Sequence, residues 1–241
     1  MFNHSGAAAH AVTGIINYIR SRRLTTGDML PSEAALCEEL DCSRSSVREA
    51  VRTLSSLDIV EVRHGHGTYV ADMSLSPMVT SMVFRVVLDT DHFLERLLDV
   101  VNTRQALDLW MTDDLVSHYR GEDMSQLQTI VEGMRARRAK GELFTREDRA
   151  FHAQLVSVTS NPLIKELSDA FWQVHMAVLP HVRIALSENL DLTVEAHQDI
   201  INALYAGDAD AYRRVVVEHY SPLKRAIDRH TMGHRSSARL N

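Results

Sequence analysis

The 241-residue chain has little of what cross-links or interrupts a fold: two cysteines, five prolines and ten glycines, with aromatic side chains at 6%. Cys37 and Cys42 lie in one short segment at a predicted helix end, which excludes a disulfide framework and a CxxC site. Cysteine this sparse fits a reducing compartment. No apolar run approaches the ~18–20 residues that cross a bilayer. The opening stretch MFNHSGAAAHAVTG has no basic start followed by an apolar core. Neither a membrane span nor a signal peptide is therefore expected, and the expected location is cytoplasmic. A global excess of positive charge is also missing. The net charge is −6, and residues 1–75 hold slightly more acidic than basic side chains. Any nucleic-acid contact must come from a local basic face and not from a diffuse field.

What is present is helical periodicity, broken once. Residues 8–22 place Ala11, Ile15, Tyr18 and Ile19 on one face, with Arg20, Arg22 and Arg23 at the C-terminal end, where cations suit the helix dipole. After a Gly27-Asp28 turn, Ser32 caps a short helix over about 32–40 that buries Ala35, Leu36 and Leu40. Asp41-Cys42 turns the chain. Ser43 then caps a helix over about 43–57, with Val47, Ala50, Val51 and Leu54 inward and Arg44, Ser45, Arg48 and Arg52 outward. Positions 44 and 48 are one turn apart near the helix start, the orientation in which a recognition helix enters a major groove. Arginine there can grip guanine with two bonds, and serines and helix-start amides can hold phosphate. Taken alone, the same face is an ordinary solvated one. The turn before it and the alternating segments 59–62 and 68–70 after it change that, because Arg63-His64-Gly65-His66-Gly67 between them suits a β-hairpin wing with a small polar tip.

The run L-x-x-G-D-x-LPSE, then SR-x-SVREA, then GHGTYVA resembles the N-terminal domain of the GntR family of bacterial transcription regulators, over about residues 8–72. The resemblance implies that Arg44, Ser46, Arg48 and the wing residues His64, Gly65 and His66 meet double-stranded operator DNA. The family often has arginine where this chain has Ala34, so one usual contact is missing.

Residues 72–90 contain Ser and Pro and then an apolar run, read as a linker into a helix over about 77–88. Beyond it the spacing predicts helices over about 91–119, 123–140, 145–158, 162–187, 191–206 and 208–231, and no strands. The expected fold is therefore mainly α: a winged helix-turn-helix domain over 1–75, a linker and connecting helix over 76–90, an all-α helical bundle with an internal cavity over 91–233, and a polar tail over 234–241.

Asp148 and His152 share a helix face. His197 falls inward with Ile200, Ile201 and Leu204, and His219 lies among Val215, Val216 and Leu223. Three imidazoles and a carboxylate suit Zn²⁺ or a neighbouring divalent ion. Spacing alone joins only the first pair, and the chain has 13 histidines that can equally be hydrogen-bonded or exposed. The pattern Asp-x-x-Phe-His, then Asn161-Pro162-Leu163, then His197-x-x-Ile and His219 is similar to the C-terminal effector (FCD) domain of the FadR-type branch of GntR regulators. That resemblance implies metal ligation by Asp148, His152, His197 and His219, with Zn²⁺ first and Ni²⁺ or Mn²⁺ compatible. It also implies that Arg104, four residues before Asp108, points into the cavity and pairs with an effector carboxylate; the alternative is a structural Arg104–Asp108 pair. Trp172, His175 and Arg183 are further candidates for the cavity wall.

The function expected is a DNA-binding regulator, a repressor in its commoner form. It would act as a homodimer on a palindromic operator under control of a small carboxylate. The rival is a metal-dependent enzyme carrying a DNA-binding head, with Glu195 as a candidate base.

Overall fold

A computed structural model describes residues 6–181 and 190–238, with side chains to residue 228. Two compact units divide at Pro77.

The first unit holds α1 (Ala7–Ser21), α2 (Glu33–Glu39), α3 (Arg44–Ser56), β1 (Val60–Arg63) and β2 (Gly67–Val70). Its core is Ala11, Val12, Ile15, Leu36, Val47, Leu54, Val60 and Val70, with neighbours from the same faces. Ala35, expected inside, is exposed; α2 is too short to bury more than Leu36 fully. Both serine caps form, Ser32 Oγ accepting from the amide of Ala35 and Ser43 Oγ from that of Ser46. Helix α1 comes close to the turn after α2, because Gly14 has no Cβ to meet the Leu40 side chain, which would lie 3.0 Å from one. The strands pair antiparallel, Val60 with Val70 through Arg63 with Gly67. The hairpin turns through a bond from the His66 amide to the Arg63 carbonyl, with Gly65 at φ 76, a left-handed position that favours glycine. A bridge from Met29 to Tyr69, unforeseen in the sequence, lays the loop before α2 along the outer edge of β2.

The second unit is all helix among its described residues: α4 (Ser76–Leu88), α5 (Phe93–Trp110), α6 (Thr112–Tyr119), α7 (Ser125–Ala139), α8 (Thr145–Val156), α9 (Pro162–Val178), α10 (Leu190–Ala206) and α11 (Ala209–Ala238). Helices α5, α9 and α11 pack together, as do α7, α8 and α10, and α10 joins the two groups through α11. Val79, Met82, Val83 and Val87 of α4 pack on this core. No helix among the described residues is long and apolar enough to cross a membrane.

Three helix boundaries differ from the periodicity. The single helix expected over 91–119 breaks at Met111, where the Thr112 hydroxyl donates to the Leu109 carbonyl at 2.6 Å and competes with the helical bond. The helix expected over 162–187 ends at Val178. Pro180 has no N–H to donate back to the helix, and a single 3₁₀ turn follows over Leu179–His181. Helix α11 is described to Ala238, into the stretch from residue 234 that was expected to be a polar tail, and it accommodates Pro222 in its interior.

Candidate functional site

On α3 the side chains of Arg44, Ser45 and Arg48 are exposed, on the face away from Val47, Ala50 and Leu54. Ser46 is placed differently from the other three. It is 8% exposed, and its hydroxyl lies 2.8 Å from Ser43 Oγ, so it completes the helix cap and is not displayed to a groove. Arg48 is loosely held, 3.9 Å from Glu33 with both side chains largely in water. A pair of that kind contributes little and is easily exchanged for phosphate or base. At the wing, His64, Gly65 and His66 are all exposed. Arg63 braces the hairpin, donating to Glu61 at 2.8 and 3.0 Å while its guanidinium lies 4.4 Å from the Tyr69 ring centre. The result is a small basic face beside a projecting tip, in a unit with no net positive charge.

In the helical unit Asp148 and His152 come from α8, His197 from α10 and His219 from α11. The three imidazoles each offer a nitrogen within 4.8 Å of the others. Asp148 Oδ1 is 3.2 Å from His197 Nε2 and 3.9 Å from His152 Nε2, while its Oδ2 accepts from Trp172 Nε1 at 2.6 Å. His197 is fully buried, and its Nδ1 donates to the Thr193 carbonyl at 2.7 Å. That bond fixes the proton on Nδ1 and leaves a lone pair on Nε2, as in metal-binding histidines whose outer nitrogen is anchored. His152 Nε2, His197 Nε2 and His219 Nδ1 are buried without hydrogen-bond partners. Three desolvated nitrogens beside one carboxylate are costly alone and are what a divalent cation satisfies, so the donors fit a metal ion.

Electrostatics favour the ligand forms. Burial pushes His152 down to about 3 and, with the other imidazoles, holds His219 well below its usual value. Both are neutral near pH 7, with lone pairs available. Burial works to raise the Asp148 carboxyl. The neighbouring imidazoles and the Arg104 guanidinium outweigh it and hold Asp148 well below the usual range, as carboxylate.

Arg104 on α5 is buried and donates to His175 Nδ1 at 2.5 Å, with its guanidinium 5.4 Å from the Tyr220 ring centre. Asp108 accepts instead from the Tyr220 hydroxyl at 2.6 Å. Burial followed by the charge of Arg104 pushes His175 down to about 3. His175 is therefore neutral, and because arginine cannot accept, its one proton is on Nε2. That nitrogen is buried and unpartnered. A cavity of about 560 Å³ is lined by Arg104, Asp148, His175, His219 and Tyr220 together with apolar residues. A smaller cavity of about 260 Å³ reaches His152 and Trp172 but neither Arg104 nor Asp148.

The structure thus gathers Asp148, His152, His197 and His219 at one point and puts Arg104 and His175 on a cavity shared with Asp148 and His219. Trp172 contacts Asp148 instead of the larger cavity, and Arg183 lies outside the described residues. Glu195 is exposed on α10. Tyr220 and Thr193 escaped the sequence reading. Thr193 precedes His197 by one helical turn, a spacing that could have pointed to it; Tyr220 carries no such signal.

The family described as "Bacterial regulatory proteins, gntR family" matches residues 7–70, and the FCD domain family matches residues 99–221. The HTH-type transcriptional regulator LutR of Bacillus subtilis is 27% identical over 205 residues, covering 83% of this chain and 92% of the relative. The galactonate operon transcriptional repressor of Escherichia coli is 26% identical over 189 residues, covering 77% and 81%. The solved structure of Streptococcus agalactiae GntR superposes with a TM-score of 0.63 at 26% identity, covering 91% of this chain and 99% of that one. A winged helix-turn-helix followed by a helical FCD domain, with relatives named as regulators and not as enzymes, places this chain in the GntR family of DNA-binding transcription regulators.

Proposed function

We propose that this regulator's hold on operator DNA is set by a small carboxylate bound beside a divalent metal ion in the helical unit. The observation that carries the reading is the convergence of three buried, unpartnered imidazole nitrogens beside the Asp148 carboxylate. Asp148, His152, His197 and His219 would hold the ion. Mixed nitrogen and oxygen donors suit Zn²⁺, with Ni²⁺ and Mn²⁺ compatible. The bound ion supplies a Lewis-acidic position for an effector oxygen. Arg104, buried on the same cavity, supplies the guanidinium fork that a carboxylate fits. One relative is named for the galactonate operon, and galactonate is itself a carboxylate.

At the DNA, Arg44, Ser45 and Arg48 enter the major groove while His64, Gly65 and His66 reach the flanking backbone or minor groove. One recognition helix reads only a half-site, so the working unit is a homodimer on a palindromic operator. The effector acts by binding two arrangements of the regulator unequally. Its sense, in keeping with the name of the E. coli relative, is repression relieved.

Arg104→Ala is the direct test. Operator affinity in a gel shift should stay within about twofold, whereas effector control of that affinity should vanish, since the charge-assisted bidentate contact goes. A variant that still responds normally would make Arg104 structural. The metal is tested separately by Trp172→Phe, which keeps an aromatic ring, though a smaller one, and removes the N–H that holds Asp148 Oδ2. Loss of such an outer bond should weaken metal binding by about 10–100-fold in competition with a chelator; unchanged affinity would put the ion elsewhere.

A further inference from the structure

Among the described residues, the larger cavity draws its charged and imidazole groups from Arg104, His175, Asp148 and His219. The Tyr220 hydroxyl, on the same wall, is already spent on Asp108, and the Thr193 carbonyl on His197. Among the described residues, the rest of the wall is chiefly apolar: Leu143, Phe144, Met176, Leu179, Leu190 and Leu223, with the hydroxyls of Thr145 and Thr193 as the exceptions. Leu143 is 69% exposed, a large apolar side chain held out to water beside the cavity. A space of about 560 Å³ is also well beyond what an acetate-sized ion fills.

We propose that the effector is a monocarboxylate with an apolar body, such as a branched-chain or aromatic 2-hydroxy acid, and not a polyhydroxylated sugar acid. The inference rests on the reading of this cavity as the effector site. The carboxylate lies against Arg104, and the neighbouring oxygen accepts from His175 Nε2–H, the one cavity donor shown to be buried without a partner. These groups serve a carboxylate and one adjacent oxygen. Further hydroxyls would face leucine, phenylalanine and methionine. Each one stripped of water without a partner weakens binding by roughly tenfold. Apolar carbons in the same place strengthen it by roughly fourfold per buried methylene. His175 thus selects the oxygen pattern beside the carboxylate, and the apolar wall selects the tail.

The test is calorimetric titration of the metal-loaded full-length protein with lactate, 2-hydroxy-4-methylpentanoate and gluconate. The isobutyl acid should bind at least about tenfold tighter than lactate, and gluconate no tighter than lactate. Met176→Gln, which keeps the wall's volume but makes it polar, should reduce the isobutyl-to-lactate ratio several-fold. Equal affinities for the isobutyl acid and lactate, gluconate as the tightest ligand, or a ratio unmoved by Met176→Gln would overturn the inference. If acid binding in those cases still disappears in Arg104→Ala, the effector site itself stands. Acid binding that survives Arg104→Ala, or no binding of any of the three acids, would overturn the site and the inference together.

Discussion

Alanine at His197 should take bound metal from stoichiometric to trace and uncouple operator binding from the effector. Among the proposed ligands His197 is the most completely enclosed, and its Nε2 is the imidazole nitrogen nearest Asp148. The Thr193 carbonyl holds its ring in the ligating tautomer before any ion arrives. The substitution removes the central donor and also empties space beside the Phe151 ring, whose centre is 4.6 Å from that of His197. Some stability loss from packing is therefore expected, and the measurement has to separate it from loss of the ion. A ligand at 1,000 times its Kd stabilises the folded state by about 4 kcal/mol. Chelator should accordingly lower the thermal midpoint of the native protein by several degrees and leave that of His197→Ala unchanged. Full metal content by elemental analysis, or an equal chelator effect in both proteins, would show that His197 is not a ligand.

The second large effect is expected at the other end of the chain. Arg44→Ala and Arg48→Ala should each weaken binding to an operator selected from a random duplex library by roughly 5- to 150-fold, the ~1–3 kcal/mol of a good base contact. Neither side chain supports the fold: both are exposed on α3, and the one partner of Arg48 is the loosely held Glu33. The pattern across sequences separates roles. Loss of a base contact relaxes preference at one operator position. Loss of a phosphate contact weakens all sequences alike and flattens the salt dependence. Because the chain's net charge is −6, no broad field compensates for either loss. Unchanged affinity in both variants would remove α3 as the recognition helix.

The two halves of the molecule were unequally legible. The winged unit is written locally: capping serines, the face of α3 and the glycine-bounded hairpin all act within a few residues, so periodicity and turn chemistry sufficed. Its surprise, the Met29–Tyr69 bridge, depends on pairing across forty residues that no local signal encodes. In the helical unit only Asp148 and His152 share a helix. His197 and His219 join them through the packing of α10 on α11, which spacing cannot reveal and only family resemblance suggested. The Arg104–Asp108 spacing invited a pair on one helix. Instead, tertiary neighbours divide those two side chains, His175 taking one and Tyr220 the other. The break at Met111 left no trace because neither glycine nor proline marks it. The stop before Pro180 was visible in principle, since proline has no N–H to continue the helical ladder.

The bond from Trp172 to Asp148 gives the protein a built-in optical reporter. The chain has two tryptophans: Trp172 is buried with its indole N–H on the carboxylate that faces the imidazoles, and Trp110 is 61% exposed. Iodide should quench only Trp110, leaving an emission that comes from Trp172 alone. An ion drawing electron density from Asp148 changes what that N–H sees, so the unquenched emission should shift as metal is added and return with chelator. Loading of the centre could then be followed in real time, without a label, while the same sample is held on or off DNA.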